Sequence, residues 1–89
     1  MVHSIQILGV SGHHLTKMME DQVREAKQRL SLSARVEVVS DVDALILADI
    51  EAIPALIING QLVVQGSIPN HDKMTLLISS YTNGTSVEN

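Results

Sequence analysis

In Ile53-Pro54-Ala55-Leu56-Ile57-Ile58-Asn59-Gly60-Gln61-Leu62-Val63-Val64, two apolar runs rich in β-branched residues flank an Asn-Gly pair. Asn and Gly tolerate the positive φ that a type I′ turn requires, so the pair predicts a tight two-residue hairpin. Pro54 heads the first run, where a missing N–H costs little and a cis peptide bond could redirect the chain. The segment therefore predicts two antiparallel strands, and the other elements can be placed around them.

The residues before the hairpin predict a strand, a long helix and a second strand. Residues 4–10 become fully apolar toward their end, as in a strand buried on both faces. Residues 35–39 alternate, and the intervening helix is long enough for a parallel crossover. The helix is expected over residues 13–30, with Ser11 as its N-cap candidate. Its apolar residues recur at three- and four-residue steps, at Leu15, Met18, Met19, Val23, Ala26 and Leu30.

Two further helices are predicted, one on each side of the hairpin in the chain. Residues 40–43 resemble a capping box and open a short helix to Ala48, apolar almost all round. Asn70 is a good N-cap for a final amphipathic helix that ends near Tyr81. The predicted order is β-α-β-α-β-β-α, an α/β fold with a four-stranded mixed sheet and helices on both faces. Residues 1–81 form this domain, and residues 82–89 are expected to be a flexible tail.

Composition excludes several classes of function. Cysteine is absent, so the chain can form no disulfide, thiolate nucleophile or thiolate metal site. A net charge of −4 and a single aromatic residue, Tyr81, argue against nucleic acid as a partner. No signal peptide is recognisable, and no apolar run approaches the roughly 20 residues of a membrane span. We therefore expect a cytoplasmic protein that does not engage a membrane.

Four short motifs in this order resemble the small thioredoxin/glutaredoxin-like proteins, and among them the family labelled redox-active disulfide proteins. The motifs are Ile7-Leu8-Gly9, Ile53-Pro54-Ala55-Leu56, Asn59-Gly60 and Gly66-Ser67-Ile68-Pro69. The resemblance covers residues 4–80. It implies a thioredoxin-like fold in which a cis-proline loop faces the N-terminus of the first helix.

The same resemblance implies where the family's chemistry would lie. Family members carry a Cys-x-x-Cys pair at the start of the first helix, and counting from Gly9 its two positions fall on Gly12 and Leu15. Thiol–disulfide exchange requires a thiolate, which neither residue supplies. The resemblance thus implies a shared scaffold without the shared reaction, and no other catalytic constellation is visible, so an enzyme is not expected.

The remaining implication is a binding surface. In the family, a groove beside the cis-proline binds the extended backbone of a substrate. A chain that keeps this groove without the cysteines would act as a protein-binding or self-associating module, in the second case as a homodimer. The residues expected to form the degenerate loop and the groove are Val10, Ser11, Gly12, His13, His14, Leu15, Ile53, Pro54 and Ile68.

A small-ligand or metal site is the alternative function. The free N–H groups at the start of the first helix suit an anion such as glutathione, and His13 and His14 are available to a metal. Adjacent helical residues point about 100° apart, however, so one ion would have difficulty reaching both rings. We therefore expect no cofactor and no metal.

Overall fold

The computed structural model describes residues 3–41, 43, 46 and 50–82. Their elements are β1 (His3–Leu8), α1 (His14–Arg29), β2 (Ala34–Val39), β3 (Ala55–Ile58), β4 (Gln61–Gln65) and α2 (His71–Thr82). The strands form one sheet in the order β2-β1-β3-β4, with β1 parallel to β2 and the other two pairings antiparallel. The predicted α/β architecture with a four-stranded mixed sheet is confirmed.

The Asn-Gly hairpin forms where the sequence predicts it. Asn59 and Gly60 are the two turn residues between β3 and β4, with φ of 50° and 84°. The Asn59 side chain does more than tolerate this turn, because its Oδ1 accepts the Ser4 N–H at 2.9 Å. Its own N–H donates to the Ser4 carbonyl at 2.7 Å. One residue thereby fixes both the hairpin and its position beside the start of β1.

The main core lies on one face of the sheet, between the strands and both described helices. It is built from Ile5, Ile7, Met19, Val23, Ala26, Leu56, Ile58, Met74 and Ile78, each at most 1% exposed. A smaller cluster of Leu8, Ala55 and Ile57 occupies the other face, where Val39 and Ile50 pack against it. The short helix predicted to follow the capping box at residues 40–43 and to end at Ala48 falls mostly outside the described residues, because only 43 and 46 of residues 42–48 are described.

The start of α1 differs from the sequence prediction. The helix begins at His14 with His13 as its N-cap, so the prediction of Ser11 as the cap is wrong. Met18, predicted to be a core residue, is 47% exposed. The buried stripe instead runs along Thr16, Met19, Val23 and Ala26. Helical periodicity marks an apolar side of α1, whereas the width of the buried stripe depends on how the helix packs against the sheet.

The C-terminal helix begins as predicted. The Asn70 Oδ1 accepts the Lys73 N–H at 2.9 Å, which is the hydrogen bond of an N-cap. Across the helix pair, the His71 Nδ1 lies 2.8 Å from the Glu25 Oε1. Helix α2 runs to Thr82, and residues 83–89 of the predicted tail lie outside the described residues. Within the described ranges, no helix has both the length and the apolarity needed to cross a membrane.

Candidate functional site

The segment between β1 and α1 is a tight turn that places the helix N-terminus beside the sheet. The His13 N–H donates to the Val10 carbonyl at 3.1 Å, and Gly12, third in this four-residue turn, has φ of 83°. A positive φ at the third position is the requirement of a type II turn, and glycine meets it without steric cost. At the position where the resemblance expects the first cysteine, the chain therefore has a residue that suits the backbone conformation of the turn.

His13 closes the open end of α1. Its Nδ1 accepts the Leu15 N–H at 3.2 Å, which satisfies one of the unpaired amides at the helix start. An accepting Nδ1 places the ring proton on Nε2. The His14 ring stacks on the His13 ring, with centroids 4.8 Å apart and planes inclined by 22°.

This stacked arrangement does not suit a shared metal ion. Imidazole nitrogens coordinate in the plane of their ring at about 2.0–2.1 Å from zinc, and two nearly parallel stacked planes do not meet at such a distance. The Nδ1 of His13 is also occupied by the Leu15 amide. In the part of the chain that the structure describes, no group of three or more His, Cys, Asp or Glu side chains could hold a metal.

The loop before β3 is fixed against the end of β4. The Ile53–Pro54 peptide bond is cis, and the Pro54 carbonyl accepts the Gly66 N–H at 3.0 Å. The Gln65 Oε1 accepts the Glu51 N–H at 2.8 Å and the Ala52 N–H at 3.3 Å. These bonds hold the chain that leads into Pro54, so the position of Ile53 is set by the sheet.

Gly9 allows the turn at residues 10–13 and the start of α1 to approach the loop that leads into Pro54, here called the proline loop. A Cβ placed on Gly9 would lie 2.6 Å from the Thr16 Oγ1 and 3.6 Å from the Pro54 Cβ. The first distance is shorter than real Cβ contacts allow, so only glycine fits between α1 and the proline loop without displacement. Thr16 is 3% exposed and Pro54 is buried, and both lie against this glycine.

The two loops enclose a cleft of about 170 Å³. Its lining residues are Val10, His13, Leu15, Thr16, Ile53 and Pro54. Three of them leave large apolar side chains exposed, namely Val10 (54%), Leu15 (38%) and Ile53 (42%). No described residue pairs with the N–H or C=O of Ile53. The cleft therefore combines apolar walls with the N–H and C=O of Ile53, which are free to form hydrogen bonds with a ligand.

The structure brings together most of the predicted site residues. Five of the nine line the cleft, Ser11 and Gly12 form the turn below it, and His14 stacks outside it. Ile68 is not among the lining residues and packs, partly buried, against the main core. Thr16 lines the cleft and was missed by the sequence prediction. Its signal was the spacing 16, 19, 23 and 26, which is a continuous helical stripe when the threonine is counted as buried.

Two comparisons with known proteins agree with this geometry. The model of the thioredoxin domain family matches residues 3–79, a span that includes every residue of the cleft. A thioredoxin from Methanothermobacter thermautotrophicus is 29% identical over 75 residues, which cover 84% of this chain and 96% of that protein.

Proposed function

Because the chain belongs to the thioredoxin domain family and contains no cysteine, we propose that it is a redox-inactive member that binds a protein partner at the cleft beside Pro54. The observation that carries this proposal is the exposed apolar lining of a cleft that has no thiol. Binding is the activity that such a cleft can still support.

The first part of the proposal concerns the lost reaction. Thiol–disulfide exchange proceeds by attack of a cysteine thiolate on a disulfide sulfur. The chain contains no cysteine, so it cannot supply this thiolate. At the two positions that correspond to the family's cysteines, Gly12 has no side chain and Leu15 exposes an aliphatic one. The scaffold persists while the reacting atoms are absent, in keeping with the rule that fold does not determine function.

The second part concerns the class of ligand. Val10, Leu15 and Ile53 surround the cleft with apolar surface, and exposed apolar surface of this kind favours contact with another protein. The backbone of Ile53 can exchange hydrogen bonds with an extended segment, as in strand addition. We infer that the partner presents a short extended segment with apolar side chains on either side of Pro54.

The anion and metal alternative is supported less well by the same geometry. The Leu15 N–H that an anion would use is bonded to the His13 Nδ1, and the two histidine rings stack without converging. Calorimetric titration with Zn²⁺ and with glutathione is expected to give no binding heat. Saturable binding of either, abolished by a combined His13→Ala/His14→Ala substitution, would contradict the protein-binding proposal.

Affinity capture with matched variants tests the proposal. The immobilised chain, its Ile53→Asp variant and its Leu76→Asp variant are exposed to a lysate of the organism that encodes it. Leu76 is 68% exposed on α2 and does not line the cleft, so its variant controls for a new surface charge. We expect one or more proteins retained by the chain and by Leu76→Asp but lost with Ile53→Asp. The same proteins on all three surfaces, with each variant folded by circular dichroism, would contradict the proposal.

A further inference from the structure

The second strand, β2, lies at an edge of the sheet with one side unpaired by any described residue. The His3 N–H donates to the Ser33 carbonyl and the Gly9 N–H to the Val39 carbonyl, both at 3.1 Å, and these bonds mark the two ends of the parallel pairing with β1. In a parallel ladder, alternate residues direct both backbone groups to the same neighbour. Of the β2 residues between these bonds, Arg35 and Glu37 therefore direct both their N–H and their C=O groups to β1.

The residues that direct their N–H and C=O groups to the open side are Ala34, Val36 and Val38. Their side chains lie half-buried against the main core. The strand contains no proline, and its register with β1 is unbroken over six residues. A bulge and a proline, two of the devices that commonly protect an edge, are absent from this strand.

Two opposite charges lie on the other face of the same strand. Arg35 and Glu37 are both exposed, and they are two residues apart on one side of the strand. In an antiparallel pair of identical strands, the residue before the central position lies opposite the residue after it. A strand with this pattern is therefore complementary in charge to a second copy of itself.

We propose that β2 pairs antiparallel with β2 of a second copy of this chain, centred on Val36. In this register Val36 lies opposite Val36, and Ala34 lies opposite Val38 of the second copy. The three outward residues of each strand then exchange hydrogen bonds with those of the other. Arg35 of each copy faces Glu37 of the other in the closely spaced, non-hydrogen-bonded positions. The two sheets join into one of eight strands.

The charges select this register over its neighbours. A shift of two residues in one direction places Arg35 opposite Arg35, and a shift in the other direction places Glu37 opposite Glu37. Like charges directly opposite each other destabilise a strand pair, and each shift also loses one of the three hydrogen-bonded residue pairs. This dimer does not rest on the proposed function, because β2 contributes no residue to the cleft.

Charge exchange tests the dimer and its register together. Sedimentation equilibrium over a concentration series measures the mass of the chain, of Arg35→Glu, of Glu37→Arg and of the double variant. We expect the chain to approach twice its 9.7 kDa mass. Each single variant should dissociate about tenfold more readily or worse, because it places two pairs of like charges across the interface. The double variant should regain the dimer, since it again places opposite charges across from each other.

A mixture of the two single variants adds a second readout. Arg35→Glu carries two acidic residues and Glu37→Arg two basic ones, so their mixture should form a heterodimer where each alone is monomeric. Lys73→Glu, an exposed charge reversal on α2, should sediment as the unaltered chain does. A chain that stays monomeric throughout, or single variants that dimerise as well as the unaltered chain, would overturn the proposal.

Discussion

Among single residues, Gly9 has the most specific structural role at the cleft. Its missing side chain leaves room for Thr16 and Pro54 beside it, and an added Cβ would lie 2.6 Å from the Thr16 Oγ1. Gly9→Ala should lower the free energy of unfolding by about 1–3 kcal/mol, because the added methyl group overfills this contact. Urea denaturation measures the loss.

The matched experiment for Gly9 is a double-mutant cycle. Thr16→Ala removes the atom that the new Cβ would strike, so Gly9→Ala should cost less in that background, with a coupling energy of about 1 kcal/mol. If Gly9→Ala costs the same with and without the Thr16 hydroxyl, the close approach of α1 and the proline loop does not explain the glycine.

His13 is distinguished from its neighbour by one hydrogen bond. Its Nδ1 accepts the Leu15 N–H, whereas His14 makes a stacking contact with the His13 ring. His13→Ala should therefore lower the free energy of unfolding by about 1 kcal/mol, the usual value of an N-cap. His13→Asn should restore most of it, because asparagine is a preferred cap.

His14→Ala is the control for the cap because it leaves this hydrogen bond in place. It should change the free energy of unfolding by less than His13→Ala does. Equal losses from the two substitutions in chemical denaturation would show that the stacked pair, and not the cap, stabilises the start of α1.

Among the elements, the β3–β4 hairpin is connected by its turn residue Asn59 to other elements of the fold as well as to its own strands. Besides pairing with Ser4, the Asn59 side chain places its Nδ2 3.1 Å from the His3 Nδ1 and 3.4 Å from the Tyr81 carbonyl. The turn residue thus contacts β1 and α2 as well as its own strands.

Two substitutions at Asn59 separate its backbone role from its side-chain role. Asn59→Gly keeps an easy positive φ and loses only the side-chain bonds, so it should cost about 1 kcal/mol of unfolding free energy. Asn59→Ala loses the side-chain bonds and also the easy positive φ. It should lower the free energy of unfolding by about 1–2 kcal/mol more than Asn59→Gly, because alanine resists the left-handed conformation. Equal midpoints for the two variants in thermal or urea unfolding would show that the positive φ at position 59 makes no separate contribution to stability, against this prediction.

The elements that the sequence predicted well are those whose signals are local. Asn59-Gly60 and Asn70 act through bonds and angles within a few residues, and both lie where their chemistry places them. The start of α1 is different, because the turn closed by His13 and Val10 moves the helix beyond Ser11. Residues of that turn line one cleft together with the loop before β3, and helical periodicity carries no information about where such a turn ends.

For the molecule as a whole, the cleft is formed by segments more than thirty residues apart in the chain. Val10 and Leu15 flank the start of α1, whereas Ile53 precedes β3, and the pairing of β1 with β3 brings them together. Sequence periodicity alone could not have predicted that these residues lie together. The prediction came from the family resemblance, which implies that the proline loop faces the start of the first helix. Two residues were assigned wrongly. Thr16 lines the cleft although it was not predicted to, because its position depends on how α1 packs. Ile68 was predicted to line the cleft but packs against the main core, because its position depends on the path of the chain after β4.

The most direct measurement of partner binding at the cleft is site-specific photo-crosslinking in the cells that make this chain. A benzophenone amino acid replaces Ile53 at the cleft or, as a control, Leu76 on the exposed side of α2. We expect a discrete higher-mass adduct with a second protein from position 53 and none from position 76. No adduct from position 53, or the same adducts from both positions, would contradict partner binding at the cleft.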